Sequence, residues 1–191
     1  IQIAFDLSQT GRRKAGCGYY ASSLLQGLTA HQAKFRFLYL SSFGDFVLDP
    51  SLALRIPSFS CQHQWGPRHL SMFQARKFWN NKAKVTRLFR HTDIVHSNNF
   101  WCPPWKLSQP LVYTIYDMSF LENPEWHKEA NRLICFEGVQ RASIYADWFV
   151  SISQSSRQSF LNFFPYVDPQ KVKVIYPGSR FHLRKKPGLL K

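Results

Sequence analysis

Residues 112–126 read VYTIYDMSFLENPEW. With Leu111 in front, the run Leu111 to Ile115 shows no alternation of polar and apolar side chains. A strand covered on both faces has that pattern, and such strands belong to parallel sheets. At Tyr116-Asp117 the character changes. A phenol and a carboxylate stand where the strand ends, ahead of a loop rich in groups that could touch a ligand. Taken alone, an Asp there is the cap of a loop or a helix. In an open parallel sheet, however, ligands gather at the carboxyl ends of strands.

The flanking sequence repeats the order strand, helix, strand. Ile1 to Phe5 reads as a first strand, and residues 6–18 (DLSQTGRRKAGCG) as a polar loop. Leu24, Leu25 and Leu28 set a helix over Tyr19 to Ala30, and FRFLYL (35–40) a second strand. Residues 41–66 are broken by Gly and Pro and offer only short strands, such as Ala53 to Ile56. Arg68 to Arg90 reads as helical with a break at Asn80-Asn81. In its second half Val85, Leu88 and Phe89 share a face, away from Lys84, Arg87 and Arg90.

Asp93 to His96 is a short strand that feeds a loop held extended by Pro103 and Pro104. A long helix is expected over His127 to Tyr145 and a strand over Trp148 to Ile152. Ser153 caps a helix over Gln154 to Phe163, and Asp168-Pro169 starts a helical turn. Lys173 to Tyr176 is the last strand. The expected fold is α/β: a doubly wound, mostly parallel, Rossmann-like sheet over residues 1–180, with 181–191 as a basic linker.

The bulk numbers fit one such domain. The chain has 191 residues, 45% hydrophobic, and only 19% charged, too few charges for a disordered polyelectrolyte. Its net charge of +14 favours anionic partners: nucleic acid, phosphate esters, nucleotide sugars or an acidic membrane surface. No RNP, zinc-finger or helix-turn-helix signal supports nucleic acid. Four scattered cysteines without a C-x-x-C pair read as reduced thiols of a cytoplasmic protein, and neither they nor the seven histidines supply a zinc spacing. No run approaches the roughly 20 apolar residues of a membrane span. IQIAFD looks like a core strand rather than a charged leader.

Four clusters fall at strand ends. Gly11 to Tyr20 can bring backbone N–H groups and a helix N-terminus to a phosphate or sugar, with Arg12, Arg13 and Lys14 adding charge. It can equally be a flexible loop ahead of a helix, and its spacing is not that of G-x-G-x-x-G. In His96 to Trp105, Asn98 and Asn99 can bind sugar hydroxyls and Phe100, Trp101 and Trp105 can stack on a ring. The plainer reading is a stiff loop packing its aromatics into the core. Tyr116-Asp117 is the third cluster, and Ser151 to Ser155 is the fourth, a cap that could also face an anion. There is no G-x-S-x-G elbow and no acid/base carboxylate pair at the strand ends, which argues against serine hydrolases and glycosidases. The basic helix over Arg76 to Arg90 is either a solvated face or a surface for anionic lipid, with Phe78, Trp79 and Phe89 at the interface.

In series, IAFD, AGCGYYASSLLQGL, DIVHSNN, PLVYTIYDMSFLENPEW, ADWFVSISQSSRQSF and KVKVIYPGSRF resemble the N-terminal half of glycosyltransferase family 4, the group 1 glycosyltransferases of GT-B fold, in particular their mannosyltransferase-like members. The resemblance implies two Rossmann-like domains across a cleft, the N-terminal one holding the acceptor and a C-terminal one most of the nucleotide-sugar donor. It implies transfer of a hexose, with mannose the candidate, to a polysaccharide or lipid-linked acceptor. Configuration would be retained, without a cofactor or a metal in the site. Gly16 and Gly18 match the glycines of the acceptor- and phosphate-facing loop, Asp117 the Asp of a His-Asp pair, and Ser153 the serine heading the next helix. Tyr116 stands where many members carry histidine.

The expected catalytic residues are therefore Asp117 and Tyr116. Gly16, Cys17, Gly18, Tyr19, Asn98, Asn99 and Ser153 are the expected substrate-binding residues. The expected partners are the nucleotide sugar, the acceptor, the chain's own C-terminal domain and, peripherally, the inner face of the membrane. The rival expectation is a non-catalytic module that docks on acidic membrane or a protein partner.

Overall fold

The computed structural model describes residues 1–11, 15–30, 35–43, 63–98 and 100–178. The expected strand at 53–56, the cations at 12–14, Asn99 and the segment 181–191 lie outside them. Among these residues seven strands form one sheet: β1 (Gln2–Asp6), β2 (Arg36–Leu40), β3 (His63–Trp65), β4 (Ile94–Ser97), β5 (Leu111–Ile115), β6 (Trp148–Ser151) and β7 (Val172–Val174). Their order is β3-β2-β1-β4-β5-β6-β7, and every adjacent pair is parallel. The chain winds outward in one direction from β1 and in the other from β4. The switch point therefore lies between β1 and β4, where Ile3 pairs with both Phe37 and Ile94.

Pleating sorts the core into two layers. Ile3, Phe5, Phe37 and Tyr39 pack with Leu25 of α1 (Gly16–Ala30). Ala4, Leu38 and Leu40 point the other way. They join the cluster that holds Trp79 of α2 (Met72–Trp79), Val85 and Phe89 of α3 (Lys82–Phe89), Val139 and Ala142 of α5 (Glu129–Tyr145), and Phe160 of α6 (Gln154–Phe163). On β5, Leu111, Tyr113, Thr114 and Ile115 are buried, as its unalternating sequence predicts.

The helix ends follow local chemistry. Ser71 and Gln74 close a capping box at α2. The predicted break at 80–81 is real, because Asn81 leaves the helix and caps α3 through the Lys84 amide at 3.0 Å. Ser153 caps α6 the same way. Three expectations shift. The first helix begins at Gly16, not Tyr19. The long helix begins at Glu129, behind a short α4 (Ser119–Glu122) and a 3-10 turn at Pro124–Trp126. The aromatics expected at a lipid interface are core residues. Trp79 and Phe89 are buried and stack near Trp101, and Trp79 Nε1 donates to the Ser41 carbonyl at 3.1 Å.

Candidate functional site

The carboxyl ends of β1, β4 and β5 are joined by one side chain. Asn98 follows β4 and is 2% exposed. Its Nδ2 donates to the Asp6 carbonyl at 3.1 Å, and its Oδ1 accepts from Thr114 Oγ1 at 3.2 Å. Thr114 has one proton and gives it to Asn98, so His96 Nε2, 3.0 Å from the same hydroxyl, is the donor on the other side. Burial lowers the His96 imidazole to about 4, which keeps it neutral in this role. The amide of Asn98, expected to face sugar hydroxyls, instead ties three strands together beneath the site.

Tyr116 is also buried. Its hydroxyl donates to the Asn98 carbonyl at 2.7 Å and lies 3.3 Å from the Cys17 carbonyl in the first turn of α1. Its ring meets Tyr20 edge to face at 5.8 Å. Burial holds its phenol well above the ordinary tyrosine value, so it is a neutral donor. From the other side, Ser156 Oγ donates to the Tyr116 carbonyl at 2.6 Å, docking the start of α6 on the end of β5. The phenol at the position where the resemblance leads one to expect histidine thus pins α1 and the β4 loop together.

Asp117, one residue on, is exposed. Its Oδ1 accepts from the Ser119 amide at 2.9 Å and from Ser119 Oγ at 2.6 Å, and Ser119 Oγ lies 3.0 Å from His127 Nε2. The first turn of α1 is its neighbour. Burial first, and the Asp117 charge second, push the half-buried Cys17 thiol upward. In that turn Gly16 is exposed and a Cβ there would meet nothing within 4 Å, Gly18 is buried, and Tyr19 is exposed. The helix carries no acidic residue in its first turn to compete for an anion. Ser153 is half-buried; its Oγ accepts from the Ser156 amide at 3.0 Å and donates to Ser156 Oγ at 2.9 Å.

Sequence reasoning missed Asp6. It ends β1 at the switch point, fully buried, with Oδ1 bonded to the Ser8 amide and hydroxyl; among the described residues Oδ2 has no hydrogen-bond partner. Burial pushes its carboxyl up to about 6, against the lowering effect of the two Ser8 bonds. It also missed Ser119, which bonds Asp117, and His127, which bonds Ser119; both contacts depend on the turns of α4 and the 3-10 segment. Phe100 and Trp101 pack against the core, as the plainer reading of their loop had it. Among the described residues no three His, Cys, Asp or Glu side chains gather as metal ligands would.

A parallel sheet wound in both directions from a switch point, with an exposed carboxylate and a helix N-terminus at its carboxyl edge, defines a Rossmann-like domain, a class in which ligands bind at that edge. Residues 15–179 match Glycosyltransferase Family 4, and the chain belongs to that family. In fold it is similar to Anabaena Alr3699/HepE, whose crystal structures are solved in complex with UDP (TM-score 0.56), with UDP-glucose (0.55) and with UDP and glucose (0.54). Identity is 18% in each, over 93% of this chain and 44% of HepE, so the chain spans less than half of that protein's length. No curated protein matches the sequence.

Proposed function

We propose that this chain is the acceptor-side half of a retaining glycosyltransferase that moves a hexose from a nucleotide sugar to a glycan or lipid-linked acceptor. The observation that carries the reading is Asp117. It is an exposed carboxylate at the end of β5, beside the first turn of α1, in a chain of this family. Its second oxygen accepts a hydrogen bond from a sugar hydroxyl and so holds the acceptor in line with the donor. The first turn of α1 faces the donor phosphates, and fixed protein dipoles and cations steady the departing diphosphate without a metal. Tyr116 serves by holding that turn in place. A second Rossmann-like domain completes the cleft and binds the nucleotide.

The donor is a hexose nucleotide. HepE is solved with UDP-glucose, while the motif around Asp117 points to mannose. The test is a transfer and hydrolysis screen of the full-length protein with UDP-glucose and GDP-mannose. Asp117→Ala is expected to lower turnover by roughly 100-fold or more with the fold intact. Wild-type turnover in that variant would remove Asp117 from the site.

A second reading concerns where the enzyme works. Residues 67–92 hold seven Lys or Arg and no Asp or Glu. The cations of α2 and α3 are exposed and none is ion-paired among the described residues. Beside them Phe73 is 77% exposed and Met72 49%. Charge with adjacent exposed apolar groups suits an anionic bilayer, such as a cytoplasmic leaflet. Vesicles with phosphatidylglycerol should bind the protein more than neutral ones at low salt, and Met72→Ser with Phe73→Ser should weaken that binding. Equal binding to both vesicles refutes it. Among the described residues no helix is long and apolar enough to cross a membrane.

A further inference from the structure

We infer that Ser119 and His127 are positioning residues for Asp117, acting through one directed chain of hydrogen bonds. The inference rests on the reading of Asp117 given above. An ionised carboxylate only accepts. Ser119 Oγ is 2.6 Å from Asp117 Oδ1, so its one proton is spent there. His127 Nε2 lies 3.0 Å from the same hydroxyl and must therefore be the donor. The order His127 Nε2–H, Ser119 Oγ–H, Asp117 Oδ1 follows, and it places a proton on Nε2 of the imidazole.

This order is the reverse of a nucleophile's. In a hydrolytic triad the imidazole takes the serine proton and sits between hydroxyl and carboxylate. Here the serine sits between the other two and passes its proton to the carboxylate. The chain therefore activates no nucleophile. It orients a carboxylate.

Oδ1 is saturated by two donors from Ser119, the hydroxyl and the amide at 2.9 Å. Rotation of the carboxylate would break both bonds, so Oδ2, which has no hydrogen-bond partner among the described residues, is held in one orientation. The imidazole adds a third link from a different element, since His127 closes the 3-10 turn at Pro124–Trp126 whereas Ser119 opens α4. Position 116 holds a phenol, and the imidazole that acts on Asp117 through Ser119 comes from eleven residues further on.

The test uses the full-length enzyme with Asp117→Ala, Ser119→Ala, His127→Leu and His127→Gln. Ser119→Ala and His127→Leu should lower kcat roughly tenfold with KM little changed, the loss of a hydrogen bond to a charged group at the reacting state. His127→Gln, whose amide N–H can stand in for Nε2–H, should recover most of that loss. Nitrogen-15 NMR of the wild type should show a proton on His127 Nε2. Wild-type kcat in Ser119→Ala and His127→Leu, with Asp117→Ala inactive, overturns the inference and spares the site. An Nδ1–H tautomer overturns it whatever the kinetics. Wild-type turnover in Asp117→Ala sinks the reading of the site itself and, with it, this role.

Discussion

Two glycines in helices should respond to alanine with opposite signs. At Gly138, in the middle of α5, an added Cβ would lie 1.8 Å from the Phe100 carbonyl oxygen and 2.5 Å from its carbon. Ordinary contact begins near 3.4 Å, so the two backbones must separate by about 1.6 Å, the difference from 1.8 Å. The obstacle is backbone on both sides, with no flexible side chain to swing away. Overpacking of this kind costs about 3 kcal/mol at the upper end of its range, while Ala gains about 1 kcal/mol over Gly in helix propensity. The net loss is roughly 2 kcal/mol, or roughly 4–8 °C in Tm for a domain of this size. Gly27 in α1 is the control, since a Cβ there meets nothing within 4 Å. Gly27→Ala should raise stability by about 0.5–1 kcal/mol. Thermal melts of the two variants beside the wild type decide the matter. If Gly138→Ala melts at or above the wild-type temperature, the close packing of α5 on the Phe100 loop is wrong.

Two further perturbations probe the buried groups beneath the site. Between pH 4 and 6 folded Asp6 keeps a proton that the unfolded chain has released, so its share of stability falls as pH rises. Folded His96 refuses a proton that the unfolded chain takes, so its share rises. The two nearly cancel in the wild type; Asp6→Asn should leave stability rising across this window and His96→Gln leave it falling, each by roughly 2–3 kcal/mol relative to wild type in urea titrations at several pH values. A profile untouched by either change would refute the burial of both groups. Tyr116→Phe strands the buried Asn98 carbonyl and should cost about 1–2 kcal/mol in urea unfolding; wild-type stability would mean that the 2.7 Å bond is not formed.

The sheet was legible because its evidence is local. Residues 111–115 carry the signature of a doubly covered strand, and Asn81 and Ser153 carry their own caps, so each could be read in place. What failed depends on partners distant in sequence. The three-residue β3 exists only through its pairing with β2. α1 starts at Gly16, and two glycines in its first turn argue against a helix on propensity alone; the bond from Tyr116 to the Cys17 carbonyl helps settle that turn from outside. An amphipathic pattern shows which residues of α2 and α3 share a face, but a core and a bilayer select the same apolar stripe. Trp79 and Phe89 were therefore assignable to lipid until the sheet appeared beneath them.

The same limit explains why Asn98 and Asp117 looked alike in sequence and differ in structure. Both are polar residues just past a parallel strand, where ligand contact is the natural expectation. The outcome turns on which hydrogen-bonding groups each one meets. Asn98 has two donors and an acceptor and stands between Asp6, Thr114 and Tyr116, all of which need partners away from water. An amide can serve a carbonyl and a hydroxyl at once, so it is drawn inward. Asp117 can only accept, and Ser119 saturates one of its oxygens from the same turn. Its remaining oxygen has no hydrogen-bond partner among the described residues, and the residue is exposed. A satisfied polar seam below and a half-satisfied carboxylate above are thus complementary. The seam makes the strand ends rigid, and rigidity there keeps the free oxygen of Asp117 in one place relative to α1.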